Sequence, residues 1–199
     1  LKRVVEGPYT IQKEHCERLS LPWDAFKAQK SAQKMYKLMW DFKFLPPGRG
    51  LWMMGTKYVK DRGSAALNNC AFVSTKDIDR DFSAPFIFLM DMSMLGVGVG
   101  SDTRGAGKVQ IHVPRYTNDP FVVEDSREGW CLLLQTILDS YVGKGFLPSI
   151  VDFSKIRPAG QKLKGFGGIS GGAEPLKNLV MDIEKVLLPI AQEGERITS

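Results

Sequence analysis

Histidine and cysteine are scarce in this chain of 199 residues, which contains two histidines and three cysteines. The cysteines Cys16, Cys70 and Cys131 are far apart and form no C-x-x-C pair. A zinc site of the usual Cys/His kind needs such ligands in closely spaced pairs, so the composition argues against one. We expect reduced thiols, because an odd number of widely spaced cysteines is typical of a cytoplasmic chain.

Long hydrophobic runs are also missing. No apolar stretch approaches the roughly 18–20 residues that cross a bilayer, and the N-terminus has no signal-peptide core. We therefore expect a cytoplasmic protein without a membrane partner. The net charge of +5 suits anionic ligands, but the basic residues are spread along the chain, which argues against a nucleic-acid partner.

Apolar residues recur at spacings of three and four in four stretches, which predicts amphipathic helices. These stretches are 24–44 with Asp24 as the N-cap, 83–95 with Pro85 in the first turn, 125–143 with a capping box from Asp125 to Glu128, and 176–190. Strands are predicted at 108–113 and 147–153. The pattern indicates a mixed α/β chain with an N-terminal helical segment at 1–45 and a second region at 46–199. Because so few strands are predicted, we expect the chain to be part of a longer protein.

A glycine-rich stretch at 95–109 matches neither nucleotide-binding template. Its glycines alternate as G-x-G-x-G after a helix, and Gly107-Lys108 is followed by valine, where a P-loop requires serine or threonine. Two interpretations stay open. Asp102, Arg104 and Lys108 contact a ribose or its phosphates, or the segment is a turn between a helix and a strand.

Cys70 stands apart from the other two cysteines, because Asn68 and Asn69 precede it in the segment LNNCAF. Cys16 and Cys131 fit structural roles, the second within an apolar helix. Amide groups beside Cys70 favour a reactive thiol, but no histidine partner is evident in the sequence. The residues alone therefore allow either a redox cysteine or a small buried side chain.

Seven motifs in order along the chain resemble one family, the adenosylcobalamin-dependent (class II) ribonucleotide reductases, and in particular the monomeric ribonucleoside-triphosphate reductases. They are RVVEGPYTIQKEHC, LPPGRGLWMMGT, ALNNCAF, GVGVG, DSREGW, IRPAG and GFGGISGG. The resemblance implies the N-terminal part of a ten-stranded α/β barrel, with the remainder after Ser199. It also implies reduction of the 2′-hydroxyl of ribonucleoside triphosphates by a cobalamin-initiated thiyl-radical mechanism.

The resemblance assigns a role to Cys70. This residue matches the family cysteine that reduces the ribose together with a second cysteine much later in the chain, the two ending as a disulfide. Asn69 would lie against the substrate ribose. Gly48, Arg49 and Gly50 match the segment that passes the substrate phosphates.

Two further segments match the family's regulatory loops. Asp102, Arg104 and Lys108 fall in the first specificity loop, which binds the deoxynucleotide effector. The second loop, which links the effector to the substrate base, is matched by Gly143, Lys144, Gly145 and Phe146. The short segment between Gly100 and Asp125 leaves open whether the enzyme carries an inserted domain, as monomeric members do, or pairs with a second copy.

The implied cofactors and partners extend beyond this chain. They are adenosylcobalamin, bound mostly by the part after Ser199, a dNTP or ATP effector with Mg²⁺, a ribonucleoside triphosphate, a thioredoxin-like reductant, and the remainder of the enzyme in cis or in trans. The thiyl-radical cysteine and the second reducing cysteine have no candidate here, and no metal ligand is assigned. The alternative function is a non-catalytic, nucleotide-binding regulatory module.

Overall fold

The computed structural model describes residues 1–163 and 168–194. The chain divides into two compact units, Leu1–Asn69 and Cys70–Ser199. The predicted helical segment 1–45 lies wholly within the first unit. In the described ranges, no helix combines the length and the apolar character needed to cross a membrane.

The first unit is helical. Its elements are α1 (Lys2–Arg18), α2 (Ala25–Trp40), α3 (Gly48–Met53), α4 (Lys57–Arg62) and a 3₁₀ turn at Ser64–Leu67. Val4, Val5 and Met39 are buried together, so α1 packs on α2 through apolar side chains. Burial of each such side chain contributes roughly 1.5–3 kcal/mol.

Two sequence predictions for this unit are tested by the helix ends. The N-cap at Asp24 is confirmed, because its carboxylate accepts a hydrogen bond from the Lys27 N–H at 2.9 Å. The predicted end at Phe44 is wrong. The helix ends at Trp40, and Phe42 adopts a φ of +54°, which a helix does not allow. Gly48, Arg49 and Gly50 begin α3.

The second unit begins with a pair of parallel strands, β1 (Cys70–Val73) and β2 (Gly98–Ser101), joined through α5 (Ala84–Met94). The start of α5 and Pro85 in its first turn agree with the sequence prediction. The interpretation of the glycine-rich stretch as a turn is wrong at Gly98–Ser101, which form β2, whereas residues 104–107 are a turn. Val97 is buried and Val99 is half-buried between exposed glycines, which is the two-residue period of a strand.

Two shorter strand pairs follow, both parallel. Strands β3 (Tyr116–Thr117) and β4 (Phe121–Val122) pair with β5 (Leu147–Pro148) and β6 (Val151–Asp152) respectively. The single strand predicted at 147–153 is thus two strands. Thr117 pairs with Pro148 and Phe121 with Val151, so residues 118–120 on one side face only residues 149–150 on the other, and the ladder breaks there. The strand predicted at 108–113 is wrong. These residues form no strand in the described part of the chain and have a single β-bridge position at Gln110, and their alternating pattern reflects the full burial of Ile111.

The core of this unit lies around α6 (Arg127–Ser140) and α7 (Glu174–Glu193), which confirms both predicted helices. Leu133, Ile137 and Leu176 are among its buried side chains. The N-cap of α6 is Ser126, whose hydroxyl accepts a hydrogen bond from the Gly129 N–H at 3.0 Å, so the predicted capping box from Asp125 is wrong by one residue. The motif GFGGISGG begins at 165, and its residues 165–167 lie outside the described residues.

Candidate functional site

The Cys70 thiol is exposed at the first position of β1. Its partner on β2 is Gly98, and the next residue on the same face, Phe72, lies opposite Gly100. Partner residues of a parallel pair point their side chains to the same face of the sheet. Because both partners are glycine, no side chain on β2 covers the thiol, and a reagent or substrate has access to the sulfur.

The other two cysteines lie in different surroundings. Cys16 is half-buried on α1, whereas Cys131 is buried in α6 with its Sγ 4.0 Å from Asp91 Oδ1. Burial, followed by the nearby Asp91 carboxylate, raises the pKa of the Cys131 thiol to about 11. The structural role predicted for Cys131 agrees with this environment.

Thiol labelling of the 199-residue chain should therefore distinguish the three cysteines by their rates of reaction. We expect Cys70 to react first with iodoacetamide at pH 7.5, because it is exposed, and Cys131 last. Burial and the raised pKa should slow Cys131 by roughly a hundredfold or more relative to an ordinary exposed thiol. Peptide mass spectrometry of a time course measures the order. Labelling of Cys131 before Cys70 would contradict the structure.

The carboxylate of Asp102 lies at the edge where β1 and β2 end together. The register pairs Val73 with Ser101, so the residues that follow each strand meet in space. Asp102 Oδ1 accepts hydrogen bonds from the Thr75 N–H at 2.9 Å and from the Thr75 hydroxyl at 2.8 Å. Asp102 Oδ2 accepts from the Ser74 hydroxyl at 2.9 Å and from Arg104 Nε at 2.7 Å. Both carboxylate oxygens thus accept hydrogen bonds that fix the position of the loop.

These donors lower the pKa of Asp102 well below its ordinary value. The backbone N–H of Thr75 is the largest cause, followed by hydrogen bonds from Arg104, Ser74 and the Thr75 hydroxyl. Hydrogen bonds to the charged form of a carboxylate favour ionisation. The group is therefore ionised at any physiological pH.

Acid titration should show this directly. We expect Asp102 to stay ionised when ordinary aspartates protonate near pH 3.9. Since the native pKa is lowered, the stabilisation is fully present above about pH 4 and is lost as the pH falls towards the native pKa. A carboxyl ¹³C NMR titration from pH 7 to pH 2 measures the midpoint, and Ser74→Ala should raise it by removing one donor. A wild-type midpoint near 4 would overturn this account.

The remaining residues of this loop include two exposed cations. Arg104 is exposed although its guanidinium binds Asp102, and Lys108 is exposed with its ammonium donating to the Lys76 carbonyl. Gly105 is buried between them. A Cβ at this position would lie 2.5 Å from the Thr75 carbonyl oxygen, so only glycine fits. We name residues 102–108 the first loop.

The segment from Gly143 to Phe146, the second loop, joins α6 to β5. Gly143 and Gly145 have φ values of +77° and +89°, which favour glycine. Lys144 Nζ donates to the Arg80 carbonyl at 3.2 Å. The half-exposed ring of Phe146 stacks under the Arg115 guanidinium at 4.8 Å.

The predicted substrate residues lie in the first unit. Arg49 Nη1 donates to the carbonyl of Ala66 at 3.2 Å, which ties α3 to the 3₁₀ turn before Asn69. Asn69 and Gly48 are exposed, and Gly50 is half-buried beside Pro46. These residues are thus brought into one helical unit, with Asn69 directly preceding Cys70.

Sequence analysis did not identify Ser74 and Thr75, which hold the first loop. Their hydroxyls follow the CAFV strand directly, as Asp102 follows the glycine strand. Hydroxyl and carboxylate residues that follow two paired parallel strands would have indicated this contact. The sequence pattern did not predict either stretch as a strand, so the contact was not predicted.

The described residues do not fit a metal centre. Within 1–163 and 168–194, no group of three or more His, Cys, Asp or Glu side chains could hold a metal ion. No residue of the described part is assigned to cobalamin.

Two family models match the chain. The model for the ribonucleotide reductase alpha domain matches residues 1–56, and the model for the insertion domain of B12-dependent ribonucleotide reductase matches residues 101–187. The second match includes both loops. The class of protein is thus ribonucleotide reductase.

Two similar proteins are named as one particular kind of ribonucleotide reductase. The chain is 49% identical over 205 residues to a probable adenosylcobalamin-dependent ribonucleoside-triphosphate reductase of Dictyostelium discoideum, covering 94% of this chain and 27% of the relative. It is 44% identical over 202 residues to the adenosylcobalamin-dependent ribonucleoside-triphosphate reductase of Euglena gracilis, covering 100% of this chain and 27% of the relative. The chain thus spans about a quarter of the length of these relatives.

A solved structure agrees. The crystal structure of a B12-dependent (class II) ribonucleotide reductase superposes with a TM-score of 0.78 at 27% identity, covering 98% of this chain and 34% of that one. The fold class predicted from the sequence, part of the α/β barrel of ribonucleotide reductases, is confirmed. The chain belongs to the adenosylcobalamin-dependent (class II) ribonucleotide reductase family.

Proposed function

We propose that this chain supplies one redox cysteine and the nucleotide-responsive loops of an enzyme that reduces ribonucleoside triphosphates to deoxyribonucleotides. The observation that carries the proposal is the exposed Cys70 thiol at the start of β1, opposite a glycine. Relatives that align over nearly the whole chain are named as reductases of this kind.

The redox step needs two thiols. Replacing the 2′-hydroxyl of the ribose by hydrogen releases water and consumes two electrons and two protons, which two thiols supply as they become a disulfide. A disulfide requires Cα atoms within about 7 Å of each other. In this proposal Cys70 is one of the two, and the second cysteine belongs to the part of the enzyme outside this chain.

Substrate contacts are proposed for Asn69, Gly48, Arg49 and Gly50. Their support is the resemblance of their motifs, together with the exposure of Asn69 and Gly48. Asn69 offers an amide to the ribose hydroxyls, and Arg49 offers a cation to the phosphates.

Effector binding is proposed for the first loop. Arg104 and Lys108 are exposed cations suited to the phosphates of a dNTP or of ATP with Mg²⁺. Asp102 contributes by holding the loop, because its carboxylate oxygens already accept hydrogen bonds from Ser74, Thr75 and Arg104. The second loop would carry the effector signal to the substrate base through Gly143, Lys144, Gly145 and Phe146.

The cofactor and the partners of the whole enzyme are part of the same proposal. Adenosylcobalamin would supply the radical that starts the reaction. A thioredoxin-like reductant would restore the Cys70 thiol, and the remainder of the enzyme would join this chain in cis or in trans, in the cytoplasm.

The test is turnover by the native gene product. With adenosylcobalamin, a dithiol and each ribonucleoside triphosphate, we expect formation of the deoxynucleotide and stimulation by a dNTP. Nucleotide binding without reduction would replace this proposal by the regulatory module considered from the sequence. Absence of both nucleotide binding and reduction would contradict both the reductase and the regulatory module.

A further inference from the structure

The first and second loops are both hydrogen-bonded to one short segment of the chain. This segment is the β1–α5 connection, residues 74–83, which runs from the end of β1 to the start of α5. Thr75 binds the first loop, and the Arg80 carbonyl accepts from Lys144 of the second loop. Two loops that lie about 40 residues apart in sequence therefore share one support.

The attachment of the first loop is centred on Thr75. Its N–H and its hydroxyl reach Asp102 Oδ1 at 2.9 and 2.8 Å, and its hydroxyl oxygen accepts from the Gly105 N–H at 2.9 Å. Lys108 adds a hydrogen bond to the Lys76 carbonyl. Hydrogen bonds to a charged group contribute more than those between neutral groups. A single side chain thus sets the position of both ends of the turn at 102–105.

The connection is well placed to transmit a displacement. Ile78 and Phe82 are buried in the same core cluster as Leu134 and Leu138 of α6. Closely packed interiors transmit strain because they cannot deform continuously. A movement of the first loop that shifts Thr75 therefore strains a packed segment whose Arg80 carbonyl accepts the hydrogen bond from Lys144.

We propose that the β1–α5 connection couples the two loops, with Thr75 as the positioning residue for the first loop and the Arg80 carbonyl as the attachment of the second. The inference rests on the proposed function in that it names the element through which an effector at the first loop alters the second. The mechanical coupling itself requires no nucleotide.

Hydrogen exchange of the nucleotide-free native enzyme tests the coupling. In Thr75→Val we expect the protection of residues 101–108 to fall about tenfold, since hydrogen bonds to and from the hydroxyl are lost. Protection of residues 143–146 should also fall, by about threefold, because coupling between two sites is reciprocal and a change at one of them alters the other. Thr75→Ser keeps the hydroxyl and should restore both values. Thr10→Val removes a hydroxyl that donates to the Glu6 carbonyl of its own helix, and should change neither loop.

The reciprocal variant keeps the test decisive if Thr75→Val folds poorly. Lys144→Met retains the side-chain stem and removes the donor to Arg80, so residues 101–108 should lose protection as well as residues 143–146. The inference is overturned if either variant lowers the protection of its own loop but not that of the other, since the connection would then hold each loop without coupling them.

Kinetics of the native enzyme separates this inference from the proposed function. A dNTP should change the ratio of kcat/KM for two ribonucleotide substrates in the wild type, and that change should shrink at least about fivefold in Thr75→Val but not in Thr75→Ser. An undiminished effector response in Thr75→Val would reject the inference and leave the proposed function standing. Coupled exchange without any effector response in the wild type would support the coupling and reject the proposed effector site.

Discussion

Cys70→Ser in the native enzyme is expected to abolish sustained turnover. Serine has almost the same size as cysteine and lies at an exposed position, so the fold and nucleotide binding should be unchanged. A hydroxyl cannot form a disulfide or supply the two electrons that the reduction consumes. We expect the steady-state rate with a dithiol to fall by at least roughly 10³-fold, as when an essential member of a reacting group is removed.

The measurement is deoxynucleotide formed per enzyme over many turnovers, alongside cleavage of the cobalt–carbon bond of adenosylcobalamin. Bond cleavage should survive in Cys70→Ser, because in the proposed mechanism the initiating step does not use this thiol. Cys16→Ser is the matched control, because Cys16 is half-buried on α1 and is assigned no role in the reduction. Normal sustained turnover by Cys70→Ser would remove Cys70 from the mechanism.

The elements predicted best from the sequence are those that are determined by residues within the element itself and not by a distant partner. Helices α2, α5, α6 and α7 were identified because an apolar stripe, a cap or a proline in the first turn acts over one or two turns. Their ends were less certain. Ser126 and Asp125 are both good N-caps, and only tertiary packing selects Ser126.

Strands were predicted poorly for a physical reason. β1 and β2 have four residues each, and the shorter pairs have two residues per strand, so each depends on a partner distant in sequence. A two-residue strand has no periodicity to detect. β2 also consists mainly of small residues with low strand propensity, and it forms because β1 provides a ladder for it.

The candidate site was partly accessible from sequence. The motif around Cys70 identified the residue, but its exposure follows from the pairing with Gly98, which sequence spacing does not reveal. Asp102 was predicted as a nucleotide contact. The structure shows its carboxylate bonded to Ser74 and Thr75, a contact that depends on the parallel register.

Gly105→Ala is expected to disrupt the first loop more than any other single methyl addition in it. The added Cβ would lie 2.5 Å from the Thr75 carbonyl oxygen and 2.6 Å from Ile78 Cγ2, so the loop or the β1–α5 connection has to move. Overpacking of this kind typically costs about 1–3 kcal/mol. Because Arg104 lies next to this glycine, we expect dNTP affinity of the native enzyme to fall at least roughly tenfold, which corresponds to about 1.4 kcal/mol.

Gly107→Ala serves as the matched control, because it adds the same methyl group two residues away. A Cβ at Gly107 would meet nothing within 4 Å, but its φ of +73° is unfavourable for alanine. That conformational cost is about 1 kcal/mol. Chemical unfolding of both variants and dNTP titration by calorimetry measure the difference. If Gly105→Ala binds dNTP as tightly as Gly107→Ala, the close contact with Thr75 does not determine the shape of the loop.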